Sequence, residues 1–342
     1  FSNYLHLSSG SKTNIEHMKR IAELVQKRFS INPNTKVLEI GSNDSTLLSF
    51  LKPHTQNLLG VDPAQNLAQV SREKGIEAKS AFFNTRTAEQ ILKEKGLYDL
   101  MIAINVIPHT PNVVDLLRGA HIILDSKGTL MMEGAYALET MLQGQFDTLY
   151  HEHVYSFSLH SLVSTFKQAN LEVVDAEQIP TQGGSLRIFA QRKEKSSRPT
   201  ESVYNILKNE VSSGLTNSSI FDQVGPKVEK FRKDFRELIE REKARGGKLI
   251  GLGAPARGVV IMNYCKLNSD DLDFVIDDTP LKQGRFAPGV HVPVKSWDSL
   301  NKDSNQTFLL LSWNYKDHLV SKIKSIMPNA RIIVPFPQLE VI

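Results

Sequence analysis

Apolar residues recur at Ile15, Met18, Ile21, Leu24 and Val25, the period of a helix with one buried face. Thr13-Asn14-Ile15-Glu16 has the capping-box spacing, with a hydroxyl at the cap and a glutamate three residues on, so a helix is predicted to open the chain. From Lys36 the pattern changes. Lys36-Val37-Leu38-Glu39-Ile40 reads as a short strand running into the turn Gly41-Ser42-Asn43-Asp44, and Leu47, Leu48 and Leu51 then begin another helix. Strand, turn and helix recur: Leu58-Leu59-Gly60-Val61 ends at Asp62-Pro63, residues 100–104 end at Asn105, and residues 129–132 end at Glu133. This alternation predicts an α/β domain with a doubly wound parallel sheet. Residues 172–179 and 185–191, joined by Gln182-Gly183-Gly184, are predicted to form a hairpin that closes it.

Between about Ser196 and Arg245 the chain is charged and helical in pattern, with one interruption at Gly225-Pro226. A second alternating unit follows, with strands over 248–252, 273–276, 308–311 and 331–334 and a turn through Gly253-Ala254-Pro255-Ala256-Arg257-Gly258. The predicted organisation is a first domain over 1–195, a helical connection over 196–245 and a smaller Rossmann-like domain over 246–342. A chain of 342 residues suits two domains at ~150 residues each.

The formal charge of +4 is mild, and lysines alternate with glutamates between Lys227 and Lys248, so nucleic acid is not implied while a small anion is acceptable. Cys265 is the only cysteine, which excludes internal disulfides and any zinc site built from several thiolates and makes a reducing, cytoplasmic setting the expectation. No apolar run approaches the ~18 residues of a membrane span, and no signal-peptide pattern opens the chain. The first residue is Phe1, so the natural protein is free to begin earlier.

Open α/β sheets bind ligands at the carboxyl ends of their strands. There the Gly41 turn has one glycine where a dinucleotide fingerprint has three, a poor fit to a pyrophosphate. Asp62, 21 residues after Gly41, is placed to accept hydrogen bonds from both hydroxyls of a ribose, although Asp62-Pro63 can also simply open a turn. Downstream, Tyr150-His151-Glu152-His153 gathers a phenol, two imidazoles and a carboxylate, a density of proton-transfer groups that suggests catalysis. The alternative is a polar turn. In an extended segment the two histidines share a face, so spacing alone does not choose between His151 and His153. A metal at this pair lacks a third ligand at suitable spacing, and no metal is expected.

Val37-Leu38-Glu39-Ile40-Gly41-Ser42-Asn43-Asp44 and Gly60-Val61-Asp62-Pro63-Ala64 resemble the first two motifs of class I S-adenosylmethionine methyltransferases. More narrowly, the chain resembles the sugar C-methyltransferases that act on nucleotide-linked 4-keto-deoxysugars, such as that of tetronitrose biosynthesis. The likeness runs through Asn105-Val106-Ile107-Pro108-His109, the stretch Phe146-Asp147-Thr148-Leu149 with the Tyr-His-Glu-His cluster, Gly183-Gly184-Ser185-Leu186-Arg187, the Gly253 to Gly258 turn, and Lys282-Gln283-Gly284-Arg285-Phe286-Ala287-Pro288-Gly289. It implies S-adenosyl-L-methionine held by Glu39, Gly41, Asn43, Asp62, Pro63 and Asn105. A keto-sugar on a nucleoside diphosphate, thymidine-linked in the expected form, is its implied partner. His153 is the implied base, with Glu152 and Tyr150 orienting it or the sugar, and His151 is the alternative base. His109 is the implied donor to the enolate oxygen, and Tyr4 would reach over the sugar. The second domain would be a platform for the nucleotide, with Arg257 and Arg285 as phosphate partners. Three departures stand out: the family's cysteine-rich zinc domain ahead of the first helix is expected to be lacking, Ser45 replaces a glycine, and His6 stands where a second tyrosine is frequent.

One rival enzyme class competes. Gly251-Leu252-Gly253-Ala254-Pro255-Ala256-Arg257-Gly258 imitates a dinucleotide loop with Asp277 as its ribose partner, the mark of an NAD-linked oxidoreductase acting on a nucleotide sugar. Its glycine spacing departs from the fingerprint and Pro255 stiffens the turn. A third class, a pair of domains that only bind a nucleotide sugar, leaves the Tyr-His-Glu-His cluster without a purpose.

Overall fold

The computed structural model describes residues 7–302 and 306–342; Tyr4 and His6 lie outside the described residues. The chain divides into two compact units. The first comprises Phe1–Ala137, Val154–Pro180 and Gly184–Thr216; the second comprises Leu138–His153, Thr181–Gly183 and Asn217–Ile342. This interleaving differs from the continuous boundaries expected from sequence. Leu138–His153, which carries the Tyr-His-Glu-His cluster, groups with the second unit, and the predicted helical connection is shared between the two.

The first unit opens with α1 (Lys12–Phe29), whose Met18, Ile21, Ala22 and Val25 are buried in one core with Leu47, Leu48 and Leu51. The helix starts one residue before Thr13, with Ser11 at the cap and no side-chain cap bond, so the expected capping box does not form. There follow β1 (Val37–Ile40), α2 (Thr46–Leu51), β2 (Leu58–Asp62), α3 (Gln65–Glu73), β3 (Glu77–Ser80), α4 (Thr85–Lys95), β4 (Tyr98–Ile104), α5 (Val113–Ile123) and β5 (Leu124–Ala135). Beyond α6 (Ala137–Leu142), which from Leu138 onward groups with the second unit, come α7 (Leu159–Gln168), β6 (Leu171–Ile179), β7 (Ser185–Arg192) and α8 (Glu201–Ser212). The seven strands lie in the order β3-β2-β1-β4-β5-β7-β6, and β7 alone runs against the others. β1 and β2 are buried along their whole length, as strands covered on both faces must be. β3 is a polar edge strand without alternation, which is why its sequence does not announce it.

On α8, Glu210 is fully buried, and its carboxylate accepts the backbone N–H groups of Leu159 (2.5 Å) and His160 (3.0 Å) in the first turn of α7. A carboxylate there satisfies orphan donors and meets the positive end of the helix dipole. Glu210→Ala is expected to destabilise the protein by about 2–3 kcal/mol in urea titrations. An unchanged midpoint would show that α7 does not depend on this cap.

The second unit contains α9 (Phe221–Gly246), β8 (Leu249–Leu252), α10 (Ala256–Tyr264), β9 (Leu272–Ile276), β10 (Val294–Lys295), β11 (Thr307–Leu310), α11 (Lys316–Ile326), β12 (Arg331–Val334) and β13 (Glu340–Val341). Its sheet order is β10-β9-β8-β11-β12-β13, parallel except for the edge strand β13. α9 runs straight through Gly225-Pro226, where a break was predicted. Pro226, the sixth residue of the helix, has no N–H to give to the Asp222 carbonyl, so one backbone bond of the second turn is missing. Among the described residues no helix is long and apolar enough to cross a membrane.

Candidate active site

In the first unit the ends of β1 and β2 bring together the residues expected to hold a cofactor. Asp62 is 9% exposed; its Oδ2 accepts the N–H of Asn43 (2.9 Å) and its Oδ1 that of Ala64 (2.8 Å). A carboxylate offers about four acceptor sites, so both oxygens keep capacity for a ribose. Burial lifts the Asp62 carboxyl above its usual range, against the pull of the Ala64 and Asn43 amides. Gly41 is in the left-handed region at φ 66°, and a Cβ there would meet Val106 Cγ2 at 2.5 Å, so the turn demands glycine on two counts. Asn43 shapes the turn: its Oδ1 accepts the amides of Ser8 (2.8 Å) and Asp44 (2.9 Å). Ser45 is also left-handed, at φ 54°, which accounts for the family's glycine at this position; here its hydroxyl donates to Ser71 Oγ at 2.9 Å.

Glu39 is 4% exposed, and its Oε2 has no hydrogen-bond partner among the described residues. Burial, and after it the charges of Asp44 and Asp62, raise its carboxyl well above the usual glutamate range. Asp44 is ionised: hydrogen bonds from Ser9, Thr46 and Lys74 outweigh its burial and hold it below the usual range.

At the ends of β4 and β5, Asn105 is left-handed at φ 55° and its N–H donates to the Glu133 carbonyl at 2.7 Å. His109 follows, half-buried, in the single turn Ile107–His109. A network that sequence reasoning missed lies alongside. The buried Glu133 carboxylate pairs with His17 Nε2 (2.5 Å) and accepts from Arg187 Nε (3.1 Å) and Nη2 (2.9 Å). Burial would raise this carboxyl, but His17 and Arg187 outweigh it and hold it low. His17 sits inside the α1 apolar pattern, which hid it.

In the second unit the Tyr-His-Glu-His cluster forms a turn, not an extended segment, so its two histidines do not share a face. The His151 side chain is 90% exposed, with Glu152 Oε1 3.9 Å away. His153 is fixed at both nitrogens: Nδ1 lies 2.9 Å from the Thr148 carbonyl and Nε2 2.7 Å from the Tyr150 hydroxyl. A carbonyl oxygen can only accept, so Nδ1 carries a proton, and in the neutral ring Nε2 is then the basic nitrogen, to which Tyr150 donates. The two rings lie 4.0 Å apart.

Arg257, expected as a phosphate partner, is engaged within the second unit. Its guanidinium is buried and donates to Asp147 through Nε (2.8 Å) and Nη2 (3.1 Å), to the Gln182 carbonyl through Nη1 (2.8 Å) and to Gln145 Oε1 (3.1 Å). A fork so committed is not offered to a phosphate. Arg285 is exposed. Asp277 repeats the Asp62 arrangement, accepting from the amides of Ala254 (2.7 Å) and Thr279 (2.8 Å), but Lys282 Nζ stands 3.3 Å from its Oδ2 where a ribose would have to bind. Lys282 is the largest influence holding Asp277 low against its burial.

Residues 14–176 match the methyltransferase domain family and residues 180–337 the family described as C-methyltransferase C-terminal domain. C-methyltransferase NovU of Streptomyces niveus is 32% identical over 343 aligned positions, covering 100% of this chain and 82% of that protein. The chain belongs to the C-methyltransferase family. A highly reducing polyketide synthase of a Fusarium species is 29% identical over 114 residues, 30% of this chain and 4% of that protein. Among solved structures, magnesium protoporphyrin IX methyltransferase of Synechocystis PCC 6803 with bound SAM aligns over 52% of this chain and 79% of its own, at a TM-score of 0.40 and 12% identity.

This C-methyltransferase is an enzyme that takes its methyl group from S-adenosyl-L-methionine, and the transferase class displaces the oxidoreductase alternative. The first unit fits that cofactor. Glu39 has a buried oxygen without a partner among the described residues, Gly41 admits close approach, and Asp62 retains acceptor capacity at the end of β2. Asp62→Ala is expected to weaken S-adenosylhomocysteine binding by about 1.5–3 kcal/mol in calorimetry. Unchanged affinity in the folded variant would remove Asp62 from the cofactor site.

Proposed function

We propose that this C-methyltransferase acts on a keto-deoxysugar carried on a nucleoside diphosphate, and that the Tyr150–His153 pair removes the proton alpha to the ketone. A saturated carbon has no lone pair, so methylation at carbon requires a carbanion-like nucleophile, and an adjacent ketone supplies one by enolisation. The observation that supports the reading is His153 held in a single tautomer, its basic Nε2 2.7 Å from a phenol. When bound, the cofactor supplies an electrophilic methyl. As the substrate C–H bond breaks, the proton passes to His153 Nε2, directly or by way of Tyr150, which gives its own proton to Nε2 and takes the substrate's. His109 is assigned the donor role toward the enolate oxygen and Glu152 an orienting role. The sugar class rests on the sequence resemblance, and the nucleotide diphosphate on the second unit with exposed Arg285.

Incubation of the enzyme with S-adenosylhomocysteine and a thymidine-diphosphate 4-keto-deoxysugar in deuterated water tests this. Exchange of the alpha proton is expected in wild type and lost in His153→Asn. Exchange that persists in the variant would refute the assignment. Arg285→Ala is expected to raise the KM for the sugar nucleotide roughly tenfold and leave cofactor affinity unchanged. A KM that does not move would take Arg285 out of the phosphate site.

A further inference from the structure

The turn Phe146–Thr148 carries three successive residues with three different attachments, all within the second unit. Phe146 packs among the rings of Tyr264 (4.6 Å), Phe231 (5.5 Å) and Phe336 (5.7 Å). Asp147 is fully buried; besides the two bonds from Arg257 its Oδ2 accepts from Trp313 Nε1 at 2.7 Å, and the Arg257 guanidinium lies over the Trp313 ring at 4.4 Å. Thr148 donates its hydroxyl to the Gln145 carbonyl (2.9 Å) and presents its own carbonyl to His153 Nδ1. The group that decides which nitrogen of His153 is basic therefore sits on the residue directly after one whose side chain is locked in a buried, bidentate ion pair. That pair joins segments 110 residues apart in the chain. A carbonyl that rotated away would remove the preference for the Nδ1–H form and leave Nε2 protonated in part of the molecules.

We propose that the Asp147–Arg257–Trp313 node is the positioning device that sets the tautomer of His153 through the Thr148 carbonyl, making Asp147, Arg257 and Trp313 positioning residues for the proton-transfer pair. Its catalytic consequence rests on the reading of His153 as the base; the tautomer itself does not. This accounts for Arg257 in place of the phosphate contact that the sequence suggested. It also accounts for the bond from its Nη1 to the Gln182 carbonyl, at a kink where Gln182 (φ 55°) and Gly183 (φ 89°) are both left-handed.

The test is the ¹⁵N spectrum of His153 in the full chain labelled at histidine, assigned by its disappearance in His153→Asn. Wild type should show a protonated Nδ1 and an unprotonated Nε2 near neutral pH. Asp147→Asn combined with Arg257→Gln removes both charges and leaves neither one buried alone. In that double variant the two ring nitrogens should move toward each other as the tautomers mix, kcat should fall about 10- to 100-fold, and the KM for the cofactor should hold. Trp313→Phe, which removes one bond to Asp147 and no charge, should move the spectrum the same way by less, and it decides the matter if the double variant does not fold. Wild-type ¹⁵N shifts in a folded variant would overturn the proposal and leave the node as packing alone. Full activity in His153→Asn would instead refute the base assignment, with the tautomer result still deciding this inference.

Discussion

Replacing His153 with asparagine is expected to slow methyl transfer by about 10²–10⁴-fold, the usual contribution of a positioned general base. Asparagine can keep a donor toward the Thr148 carbonyl but has no basic nitrogen where Nε2 lies 2.7 Å from the Tyr150 hydroxyl. The loss should fall on kcat, because the change leaves untouched the residues proposed to hold the cofactor, at the ends of β1 and β2. Tyr150→Phe separates two versions of the chemistry. If the phenol relays the proton, its loss should approach that of His153→Asn; if it only steadies the ring, the loss should be closer to tenfold. His151→Asn serves as the control, since that side chain is 90% exposed, with the Glu152 carboxylate 3.9 Å away. Activity retained in His153→Asn and lost in His151→Asn would exchange the two roles.

The Tyr-His-Glu-His cluster shows where sequence reasoning reaches its limit. Composition exposed a density of proton-transfer groups, but the choice between the histidines depends on a turn that sends His153 back to Thr148 and His151 outward, and no two-residue spacing encodes that. The strand ends were legible because buried parallel strands are short apolar runs and the turns after them carry glycine or Asp-Pro. β3 was not, being polar along its length at the edge, nor were the two-residue strands β10 and β13. Arg257 misled for a physical reason. A lone arginine after a glycine-rich turn reads as an anion ligand, and its partner Asp147 lies 110 positions away, beyond any local pattern. The same holds for Glu133, His17 and Arg187, which meet only when α1, β5 and β7 are assembled. Glu39 was visible as the acidic residue of the first motif, but the rise of its pKa follows from burial and from two carboxylates brought close by the turn.

That rise leads to a large pH effect. Glu39 has a folded pKa raised above its unfolded value, so its contribution to stability is fully present below the unfolded range, near pH 4.5, and is lost as the pH rises through the folded pKa. Glu39→Gln is neutral at every pH and escapes this loss. In the absence of cofactor the variant should therefore gain on wild type by about 1.4 kcal/mol per pH unit above the usual glutamate range, until the folded pKa is passed, with no advantage below about pH 4. Urea titrations of the two proteins from pH 4 to pH 8 measure this directly, and an advantage that does not change with pH would mean that Glu39 is ionised in the fold. The cofactor should reverse the balance. S-adenosyl-L-methionine carries a sulfonium and an ammonium, and positive charge bound at the end of β1 would favour the ionised form of a carboxyl whose Oε2 has no partner among the described residues. Binding to wild type should then release a proton, seen as a dependence of the calorimetric enthalpy on the ionisation enthalpy of the buffer, and Glu39→Gln should abolish that dependence. S-adenosylhomocysteine, which lacks the sulfonium charge, should release less. Equal proton release for the two ligands would mean that Glu39 does not sense the methyl-bearing sulfur.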